Sequence, residues 1–370
     1  MSNRILAATR KGVFTLERAG GKWAVARVAF LGDHSPMVLC DSRDGALYVA
    51  LHHGHFGEKL HRSRDGGETW EELTVPAYPP KPEGEVEMAP WGPHSYDWKL
   101  QLIWALEPGN ADQPGLLWCG TIPGGLFRST DHGATWQMVR TLWDHPKRKE
   151  WFGGGADYPG IHSVCVDPRD SRHVTVGVSC GGVWETLDGG ETWNCRATGM
   201  WAAYMPPERK DDPVIQDPHR VVQCLAQPDH LWAQHHNGIF RSTNGAASWQ
   251  EVTSIAPSVF GFAVAVHPRD PNIAWFVPAI KDERRIPVEG KVVVARTRDG
   301  GKTCEVLRKG LPQEHAYDIT FRHGLDVDDT GDCLAFGTTT GSLWTSDDQG
   351  NSWQTVSEHL PPIYCVRFVK

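Results

Sequence analysis

Long apolar segments are absent from this sequence. No run of 18 apolar residues occurs, and the opening residues, MSNRILAATRKG, contain no apolar stretch as long as the core of a signal peptide. No Pro/Ser-rich linker or low-complexity tract divides the 370 residues either. From these absences we expect a single domain spanning residues 1–370, located in the cytoplasm, with no membrane partner.

An excess of basic charge is missing as well. The 37 Lys and Arg residues are outnumbered by 45 Asp and Glu residues, which leaves a formal net charge of −8. Such a chain has no electrostatic reason to bind nucleic acid or an anionic membrane surface. The nine cysteines form no CxxC pair and no zinc-finger spacing, so we expect buried thiols without a redox or catalytic role.

What the sequence does contain is one eight-residue segment repeated six times. The copies are SRDGGETW (63–70), STDHGATW (129–136), TLDGGETW (186–193), STNGAASW (242–249), TRDGGKTC (297–304) and SDDQGNSW (346–353). Their third residues are Asp65, Asp131, Asp188, Asn244, Asp299 and Asp348, so successive copies are 66, 57, 56, 55 and 49 residues apart. A period of this size predicts an architecture with one supersecondary unit per copy.

Each copy lies between two short hydrophobic runs, which predicts a hairpin turn; GGVWE (181–185), for example, precedes the third copy. In such a turn the Asp accepts hydrogen bonds from backbone amides and the Gly adopts a positive φ. The Trp packs the hairpin onto its sheet. The fourth copy departs from the pattern with Asn244 and Ala246, and the fifth with Cys304, so we expect weaker turns there.

These residues resemble the Asp-box, or BNR, repeat of sialidases, related glycoside hydrolases, sortilin-type receptors and photosystem II assembly factors. The resemblance covers almost the whole chain and implies an all-β fold, a β-propeller with one box per blade. The boxes are scaffold residues in such proteins, so the resemblance by itself implies nothing specific about the activity.

The two ends of the chain predict a seventh blade. Residues 4–23 contain the two central runs of a repeat, but they lack the strand that precedes those runs elsewhere. The segment PIYCVRFVK (362–370) has the alternating pattern of that missing strand. Pairing of the two ends closes the ring and removes its open edges. We therefore predict a seven-bladed β-propeller closed by its N- and C-terminal strands.

The long loops of the sequence are predicted to share one face of the ring. In a four-stranded blade the box turn joins strands three and four, so the loops before strand one and after strand two lie on the opposite face. Three of these loops, 74–99, 140–161 and 197–219, are long and rich in aromatic residues and carboxylates. That combination suits sugar binding and acid/base chemistry on a glycosidic bond. The alternative is that the loops bury their own aromatic residues as satellite cores.

Histidines accumulate at the same face. His34, His94, His162, His219 and His315 precede or open first strands, and His52, His53, His235 and His236 follow second strands. Converging neutral imidazoles form a metal site, or acid/base groups that titrate near neutral pH. We expect at least three imidazole nitrogens to meet at the channel mouth, around a divalent ion such as zinc or manganese.

The candidate site residues divide into three sets by role. The catalytic set is His162, His219, Asp157 and Glu87. The ligand-binding set is Trp91, His94, Trp98, Trp151, Tyr158 and Arg220. The metal-binding set is His34, His52, His53, His235, His236 and His315.

A strict sialidase is not predicted. Sialidases hold the substrate carboxylate with three arginines, one of them from an Arg-Ile-Pro motif in the first blade. The motif Arg285-Ile286-Pro287 of this chain lies in the sixth blade. The three arginines of sialidases cannot be matched one by one to arginines of this chain. We therefore interpret this motif as a coincidence.

Two classes of function stay open. The first is an enzyme or ligand-binding protein whose site is the channel mouth. The enzyme would be a glycosyl hydrolase-like enzyme or a metal-assisted lyase, and its ligand would be a carbohydrate or another polar small molecule. The second is a non-catalytic scaffold or assembly factor that holds a protein partner. Titratable groups clustered in a cleft favour the first class.

Overall fold

The computed structural model describes residues 2–154 and 157–369. The strands of the N-terminal half are β1 Arg4–Thr9, β2 Gly12–Ala19, β3 Lys22–Ala29, β4 His34–Cys40, β5 Leu47–His52, β6 Glu58–Ser63, β7 Glu71–Leu73, β8 Glu87–Ala89, β9 Gly92–His94, β10 Leu102–Pro108, β11 Leu117–Ile122, β12 Leu126–Ser129, β13 Gln137–Met138, β14 Gly160–Val166 and β15 Val174–Ser179. Those of the C-terminal half are β16 Gly182–Thr186, β17 Asn194–Cys195, β18 Pro218–Gln223, β19 Leu231–His235, β20 Gly238–Ser242, β21 Gln250–Glu251, β22 Gly261–Val266, β23 Ala274–Pro278, β24 Val294–Thr297, β25 Glu305–Leu307, β26 Leu325–Val327, β27 Leu334–Gly337, β28 Leu343–Ser346, β29 Gln354–Ser357 and β30 Ile363–Phe368.

Among the described residues, helical structure is confined to short turns in the connections. The α-helix α1 spans Arg140–Trp143, and 3₁₀ turns span Gly54–Phe56, Pro146–Glu150, Pro213–Ile215 and Val288–Gly290. No helix within residues 2–154 and 157–369 has the length and apolar character needed to cross a membrane.

The strands form seven four-stranded antiparallel sheets, which are the blades of a β-propeller. The sheets are β30-β1-β2-β3, β4–β7, β10–β13, β14–β17, β18–β21, β22–β25 and β26–β29, and the hairpin β8-β9 stands apart from them. First strands of neighbouring blades contact each other all the way around, from β4 through β10, β14, β18, β22, β26 and β30 back to β4. The predicted all-β, seven-bladed fold is confirmed.

Closure of the ring depends on the pairing of β1 with β30. The register runs antiparallel from Ile5 opposite Phe368 to Thr9 opposite Ile363. Ala7 and its partner Val366 are both 0% exposed, so these side chains are as fully buried at the seam as those in the interior of a blade. The prediction that the two chain ends complete one blade is thus confirmed, and neither strand leaves an unpaired edge at the seam.

Burial decreases from the channel outward. Every residue of β15 is buried, whereas Glu305 of the outer strand β25 is exposed. Inner strands are covered by neighbouring blades on both faces, which explains their continuous apolar sequences. Large side chains fill the space between blades, and Trp118, Trp184 and Trp232 are each no more than 1% exposed.

The repeated boxes form the turns between third and fourth strands. In the third box the Asp188 carboxylate accepts hydrogen bonds from the Thr192 backbone N–H at 2.9 Å and from the Thr192 hydroxyl at 2.6 Å. Gly189 and Gly190 have φ values of 77° and 97°, which residues with a Cβ atom rarely adopt. The box residues are therefore held by local hydrogen bonds on the face away from the long loops.

The irregular fourth box keeps the same turn. Asn244 Oδ1 accepts from the Ser248 backbone N–H at 3.0 Å, and its Nδ2 donates to the Ser248 hydroxyl at 2.9 Å. Ala246 occupies a position with φ of 64°, which costs free energy for a residue with a Cβ atom. The expected weakness of this turn stays a prediction, with Ala246 as its physical reason.

Two of the box tryptophans also link their blade to the preceding one by a hydrogen bond. Trp249 Nε1 donates to the Arg196 carbonyl at 2.7 Å, and Trp136 Nε1 donates to the Thr74 carbonyl at 3.2 Å. Trp193 is 6% exposed, whereas Trp136 is only half-buried. The contribution of a box tryptophan to stability therefore depends on the blade.

We predict that Trp193→Ala lowers the free energy of unfolding by about 3–5 kcal/mol, as for other buried large aromatic residues. Trp136→Ala is the matched control, and its smaller buried area predicts a smaller loss. Chemical denaturation of both variants measures the difference. Equal losses would show that burial of the indole does not set the contribution of this position.

We also predict that Asp188→Asn leaves stability at neutral pH nearly unchanged, because Asn244 makes the equivalent bonds in the fourth box. The hydroxyl and amide of Thr192 hold the pKa of Asp188 below its usual range. Its contribution is therefore complete above the unfolded-state pKa of about 4 and is lost as the pH falls through the lower folded-state pKa. Unfolding measured from pH 6 to 2 should show a shallower acid loss for Asp188→Asn, and an unchanged slope contradicts the proposed role.

Candidate functional site

Most of the first strands place a side chain at the channel mouth through a β-bulge. The ladder between first and second strands shifts register at Trp104 in β10, His162 in β14 and His219 in β18. A bulge turns the extra residue out of the regular alternation and re-aims its side chain. Tyr364 occupies the same kind of position in β30. The bulges thus gather aromatic and imidazole rings on the face opposite the boxes.

The side chain of Arg322 lies among these rings and contacts two aromatic residues. It precedes β26 in the seventh blade, and its guanidinium carbon lies 4.5 Å from the ring centroid of Trp104 and 5.4 Å from that of Phe262. Cation–π contacts therefore hold Arg322 from two other blades. On the long-loop side lies a pocket of about 120 Å³, lined by Asp217, His219, His236, Phe262, Arg285 and Arg322 among others. We refer to it as the mouth pocket.

A larger cavity occupies the far end of the channel. It has a volume of about 1100 Å³ and is lined by the outgoing ends of the first strands, including Glu107, Arg220 and Arg367. Arg220 donates to the His162 carbonyl at 3.1 Å, and Arg367 lies 3.4 Å from a carboxylate oxygen of Glu107. The charged groups of this cavity thus have partners within the channel wall.

The mouth pocket contains a cluster of Asp217, His219 and His236, which we call the Asp/His cluster. One potential ligand atom from each residue lies within 4.8 Å of the others, and among the described residues this is the group of His, Cys, Asp and Glu compatible with a metal ion. Asp217 Oδ2 lies 3.5 Å from His219 Nε2 and 3.5 Å from His236 Nδ1. Asp217 and His219 are 3% and 2% exposed.

Hydrogen bonds from the scaffold orient two members of the cluster. His219 Nδ1 donates to the Gly261 carbonyl at 2.7 Å, so the Nε2 atom of His219 is directed toward Asp217. The other oxygen of Asp217 accepts from the Ser179 hydroxyl and the Cys180 backbone N–H, both at 3.1 Å. When His219 is neutral and carries its proton on Nδ1, the lone pair of Nε2 faces an oxygen of the Asp217 carboxylate. A proton or a cation between Nε2 and that oxygen stabilises the arrangement.

The glycine at position 154 leaves room for this arrangement. A Cβ atom built on Gly154 would lie 3.2 Å from Asp217 Oδ2 and 2.5 Å from Cys180 Sγ. Any larger residue would therefore crowd the carboxylate oxygen that faces the two imidazoles. The donor set of one carboxylate and two imidazoles, with this space beside it, fits a divalent transition metal.

The cluster shifts the pKa of each member. Burial opposes ionisation of Asp217, but the two imidazoles and the charge of Arg322 outweigh it and hold the pKa of Asp217 well below its usual range. Burial lowers the pKa of His219. Burial also acts against protonation of His236, yet the hydrogen bond and charge of Asp217 prevail and raise the pKa of His236. Asp217 is therefore ionised at neutral pH, and of the two imidazoles in the cluster that of His236 is the more readily protonated.

The histidines expected to meet at one point lie in separate places. His219 and His236 join the cluster, and His235 lies behind it with Nε2 3.0 Å from the Asp217 backbone nitrogen. The expected set of three imidazole nitrogens is replaced by two imidazoles and Asp217. His162 is fully buried, with Nε2 2.6 Å from the Pro218 carbonyl and Nδ1 2.9 Å from the Ser163 hydroxyl. Both its ring nitrogens are engaged, so His162 offers no lone pair to the pocket.

A second histidine group lies at the second blade. His34 and His52 have ring centroids 5.4 Å apart, and His52 Nδ1 lies 2.6 Å from Glu58 Oε1. Burial lowers the pKa of His34 to about 4 and raises that of Glu58 to about 7. His53 lies 3.6 Å from Asp33. His315 is exposed in a loop and lies in neither group. The predicted metal-binding histidines therefore do not form one site.

The aromatic wall is largely a satellite core. Trp151 is 1% exposed and packs edge-on against Trp184, and Trp98 packs in the same way against Trp143. Glu87 is 0% exposed and accepts a hydrogen bond from Trp98 Nε1 at 3.3 Å. Because Glu87 is enclosed by these loops, it lies away from the pocket. The alternative interpretation of the long loops thus describes most of their aromatic residues.

Other predicted residues lie in the wall or in the channel, outside the lining of the mouth pocket. Trp91 is 67% exposed and packs edge-on against Phe152, which lines the mouth pocket. His94 and Tyr158 each pack against Tyr96. Asp157 is exposed, and Arg220 faces the channel cavity instead of the pocket.

Several residues of the pocket were not predicted. Asp217 stands two positions before His219 in QDPHR (216–220), and Arg322 precedes the seventh-blade strand in the segment 321–324. Arg285, interpreted from the sequence as a coincidence, lines the pocket with its guanidinium 5.3 Å from the Phe262 ring. The short spacing of Asp217 and His219 was an available sequence signal, since two residues so close in the chain enter the same loop end together.

Part of the chain is similar in sequence to proteins named as xyloglucanases. It is 25% identical over 261 residues to an oligoxyloglucan-reducing end-specific xyloglucanase of Emericella nidulans, which covers 70% of this chain and 27% of that protein. A probable enzyme of the same name from Neosartorya fischeri is 26% identical over 222 residues, or 52% of this chain and 26% of that one. The chain spans about a quarter of the length of these curated relatives. No protein-family model matches the sequence.

Solved structures share the fold. A GH74 xyloglucanase from Xanthomonas campestris superposes with a TM-score of 0.64 at 17% identity, over 97% of this chain and 53% of that one. YCF48 bound to a D1 peptide superposes with a TM-score of 0.51 at 14% identity, over 87% of this chain and 80% of that one. The resemblance to glycoside hydrolases and to assembly-factor propellers is thus supported at the level of the fold.

We predict that Asp217→Asn lowers the pKa of His236, because the carboxylate is the group that raises it. The stability that this pair contributes is complete below the unfolded-state histidine pKa of about 6.5 and is lost as the pH rises through the higher folded-state pKa. NMR titration of the imidazoles measures the pKa, and chemical denaturation at a series of pH values measures the stability. His173, whose pKa is raised by Glu185 elsewhere in the fold, is the internal control and should titrate as before. An unchanged His236 titration contradicts the pairing.

Proposed function

We propose that the chain is a carbohydrate-active enzyme, a glycosyl hydrolase-like enzyme or a metal-assisted lyase, that acts in the mouth pocket. The observation that carries the proposal is the Asp/His cluster, in which a buried carboxylate and two imidazoles converge beside Gly154. Buried titratable groups with pKa values shifted in opposite directions are typical of acid/base sites. Similarity to xyloglucanases supports a carbohydrate as the substrate.

The cluster is proposed to hold a divalent ion through Asp217 Oδ2, His219 Nε2 and the His236 ring. An ion held there would supply Lewis-acid chemistry, by polarising a substrate oxygen or lowering the pKa of a bound water. His219 is oriented for this role by its bond to the Gly261 carbonyl, as ligating imidazoles are commonly oriented by a carbonyl on the other nitrogen. Ser179 and Cys180 fix the Asp217 carboxylate from the opposite side.

The residues around the cluster suit a sugar ligand. Tyr204 packs edge-on against His236, and the exposed Trp91 extends an aromatic surface from Phe152 at the rim of the pocket. Aromatic faces of this kind bury the apolar face of a sugar ring while carboxylates and imidazoles bind its hydroxyls. In the alternative without a metal, His236, half-buried and with a raised pKa, is the group proposed to donate a proton at the opening of the pocket.

A protein-binding scaffold is the competing proposal, and the fold shared with YCF48 is compatible with it. The buried Asp/His cluster argues against it, because a docking surface gains nothing from a desolvated carboxylate between imidazoles. The two proposals predict different results when metal is offered to the protein.

We predict that the protein, stripped with chelator, binds about one Zn²⁺ or Mn²⁺ ion per chain in calorimetry and elemental analysis. His236→Gln should weaken binding by about 100-fold or more, since loss of a ligand exceeds the 10–100-fold effect of an outer partner. His315→Gln, on an exposed loop, is the matched control and should bind as the parent does. Equal binding by both variants, or none by the parent, removes the metal from the proposal.

Turnover is tested on xyloglucan oligosaccharides and on a panel of other oligosaccharides, including uronate-containing ones, by release of new chain ends. Asp217→Asn should abolish activity while the fold, monitored by circular dichroism, is retained. Activity that survives in Asp217→Asn would place the reaction elsewhere. Absence of turnover on the whole panel, with no sugar binding by the parent, would favour the scaffold.

A further inference from the structure

The cavity at the far end of the channel, which we call the channel cavity, is large enough for an organic ligand. Its volume of about 1100 Å³ reaches the size of small-molecule sites, which span about 300–1,000 Å³. The first strands of all seven blades contribute to its lining. The Asp/His cluster lines the mouth pocket and not this cavity, so a ligand here would be separate from the proposed reaction.

Arg220 presents an open edge of its guanidinium to the channel cavity. Its Nη1 atom donates to the His162 carbonyl at 3.1 Å and lies 3.4 Å from the Ser163 hydroxyl. The Nε and Nη2 atoms have no hydrogen-bond partner within the described residues, and they are not enclosed, in contrast to the same atoms of Arg322. Because Arg220 is half-buried and lines the cavity, a ligand that enters can reach this edge.

The carboxylates near Arg220 are engaged elsewhere. Glu107, whose charge acts on Arg220, lies 3.4 Å from a guanidinium nitrogen of Arg367. Asp326 Oδ2 accepts a hydrogen bond from the Phe368 backbone N–H at 2.8 Å. Burial and the charge of Arg367 lower the pKa of Arg220, so the cavity wall stabilises this cation less well than water does. A guanidinium stays protonated at neutral pH, and an anion in the cavity would therefore stabilise it.

The open Nε–Nη2 edge has the geometry that binds a carboxylate. Arg43 shows this in the same protein, since its Nε and Nη2 atoms donate to the two oxygens of Asp41 at 2.8 and 2.6 Å. Two parallel bonds of this kind match a planar carboxylate. A dianion such as phosphate is less favourable, because Glu107 and Asp326 line the same cavity and repel the extra charge.

Apolar side chains line the cavity beyond Arg220. Val222 stands two positions later in β18, so its side chain shares the channel face, about 7 Å further along the strand. Val166 and Val327 are half-buried and line the cavity from two other blades. Leu225, which follows the end of β18, is 49% exposed. This wall suits an apolar chain or ring that extends outward from an anchored carboxylate.

We infer that the channel cavity binds an organic monocarboxylate with an apolar body. The Nε–Nη2 edge of Arg220 holds the carboxylate, and the body packs on Val222 and Leu225. The inference concerns binding only and is independent of the proposed function, because the Asp/His cluster lies at the opposite end of the channel.

The test measures binding of hexanoate, hexan-1-ol, acetate and inorganic phosphate to the full chain by calorimetry. Ionic strength is constant and EDTA is present, so that the result does not depend on a metal. Hexanoate should bind about tenfold or more tightly than hexan-1-ol, as expected for a charged bidentate hydrogen bond. It should also bind more tightly than acetate, by about two- to fourfold for each added CH₂ group. Phosphate should bind more weakly than hexanoate.

Four variants locate the bound hexanoate. Arg220→Met should abolish the preference for hexanoate over hexan-1-ol, and Arg220→Lys, which keeps the charge without the planar edge, should reduce it. Val222→Thr should weaken binding of hexanoate and leave that of acetate nearly unchanged. Arg128→Met is the matched control, because Arg128 is also half-buried and donates from Nη1 to a backbone carbonyl, that of Gly189 at 3.2 Å. Arg128 lies outside both cavities, so this variant should retain the preference.

Several results would overturn the inference. Equal binding of hexanoate and hexan-1-ol by the parent would remove the carboxylate anchor, as would an unchanged preference in both Arg220 variants. Tighter binding of phosphate than of hexanoate would reject the apolar body. If Arg220→Met does not fold, Arg220→Lys and Val222→Thr decide the point. Asp217→Asn should bind hexanoate as the parent does, and loss of binding there would place hexanoate in the mouth pocket, so this inference and the proposed function fail separately.

Discussion

Antiparallel pairing between β1 and β30 closes the ring, and the position of the mouth residues depends on it. The seam joins Ile5–Thr9 to Ile363–Phe368 with fully buried partners at its centre. The same strand β30 reaches the seventh blade, where the Val366 backbone N–H donates to the His323 carbonyl at 2.8 Å. Arg322 is the neighbour of His323, so the hydrogen bonds that close the ring also set the height of Arg322 in the channel.

Seven first strands around one axis leave little room for regular alternation at the mouth. Bulges at Trp104, His162 and His219 turn these side chains out of their ladders and bring them near one another. The aromatic rings then contact a guanidinium from the opposite side of the ring. Packing and electrostatics act together here, since the same enclosure that orders the rings also deprives Arg322 of water.

The protonation states of the buried carboxylates depend on their charged neighbours as well as on burial. Asp217 stays ionised because imidazoles and a guanidinium surround it, whereas the buried Glu58 beside His52 has a pKa raised to about 7. Glu87 is as buried as Asp217 but lies within the aromatic loops, 3.6 Å from Arg148 and 3.6 Å from Lys81. Burial alone therefore does not mark the site. Asp217 and Arg322 differ from Glu87 because they border open space that a ligand can enter.

The sequence by itself determined the all-β class, the number of blades and the closing seam. Those features are encoded by local sequence signals, namely the periodic boxes and the strand-like ends. Hydrogen bonds within a box, such as those of Asp188, hold its turn without help from distant residues. The sequence also predicted that His219 and His236 share one face, where they lie in the mouth pocket. Only the tertiary structure decided which residues meet. The bulges, the burial of Glu87 and Trp151 in their own loops, and the reach of Arg322 across the axis result from packing between segments far apart in the chain, for which a single sequence carries no periodic signal.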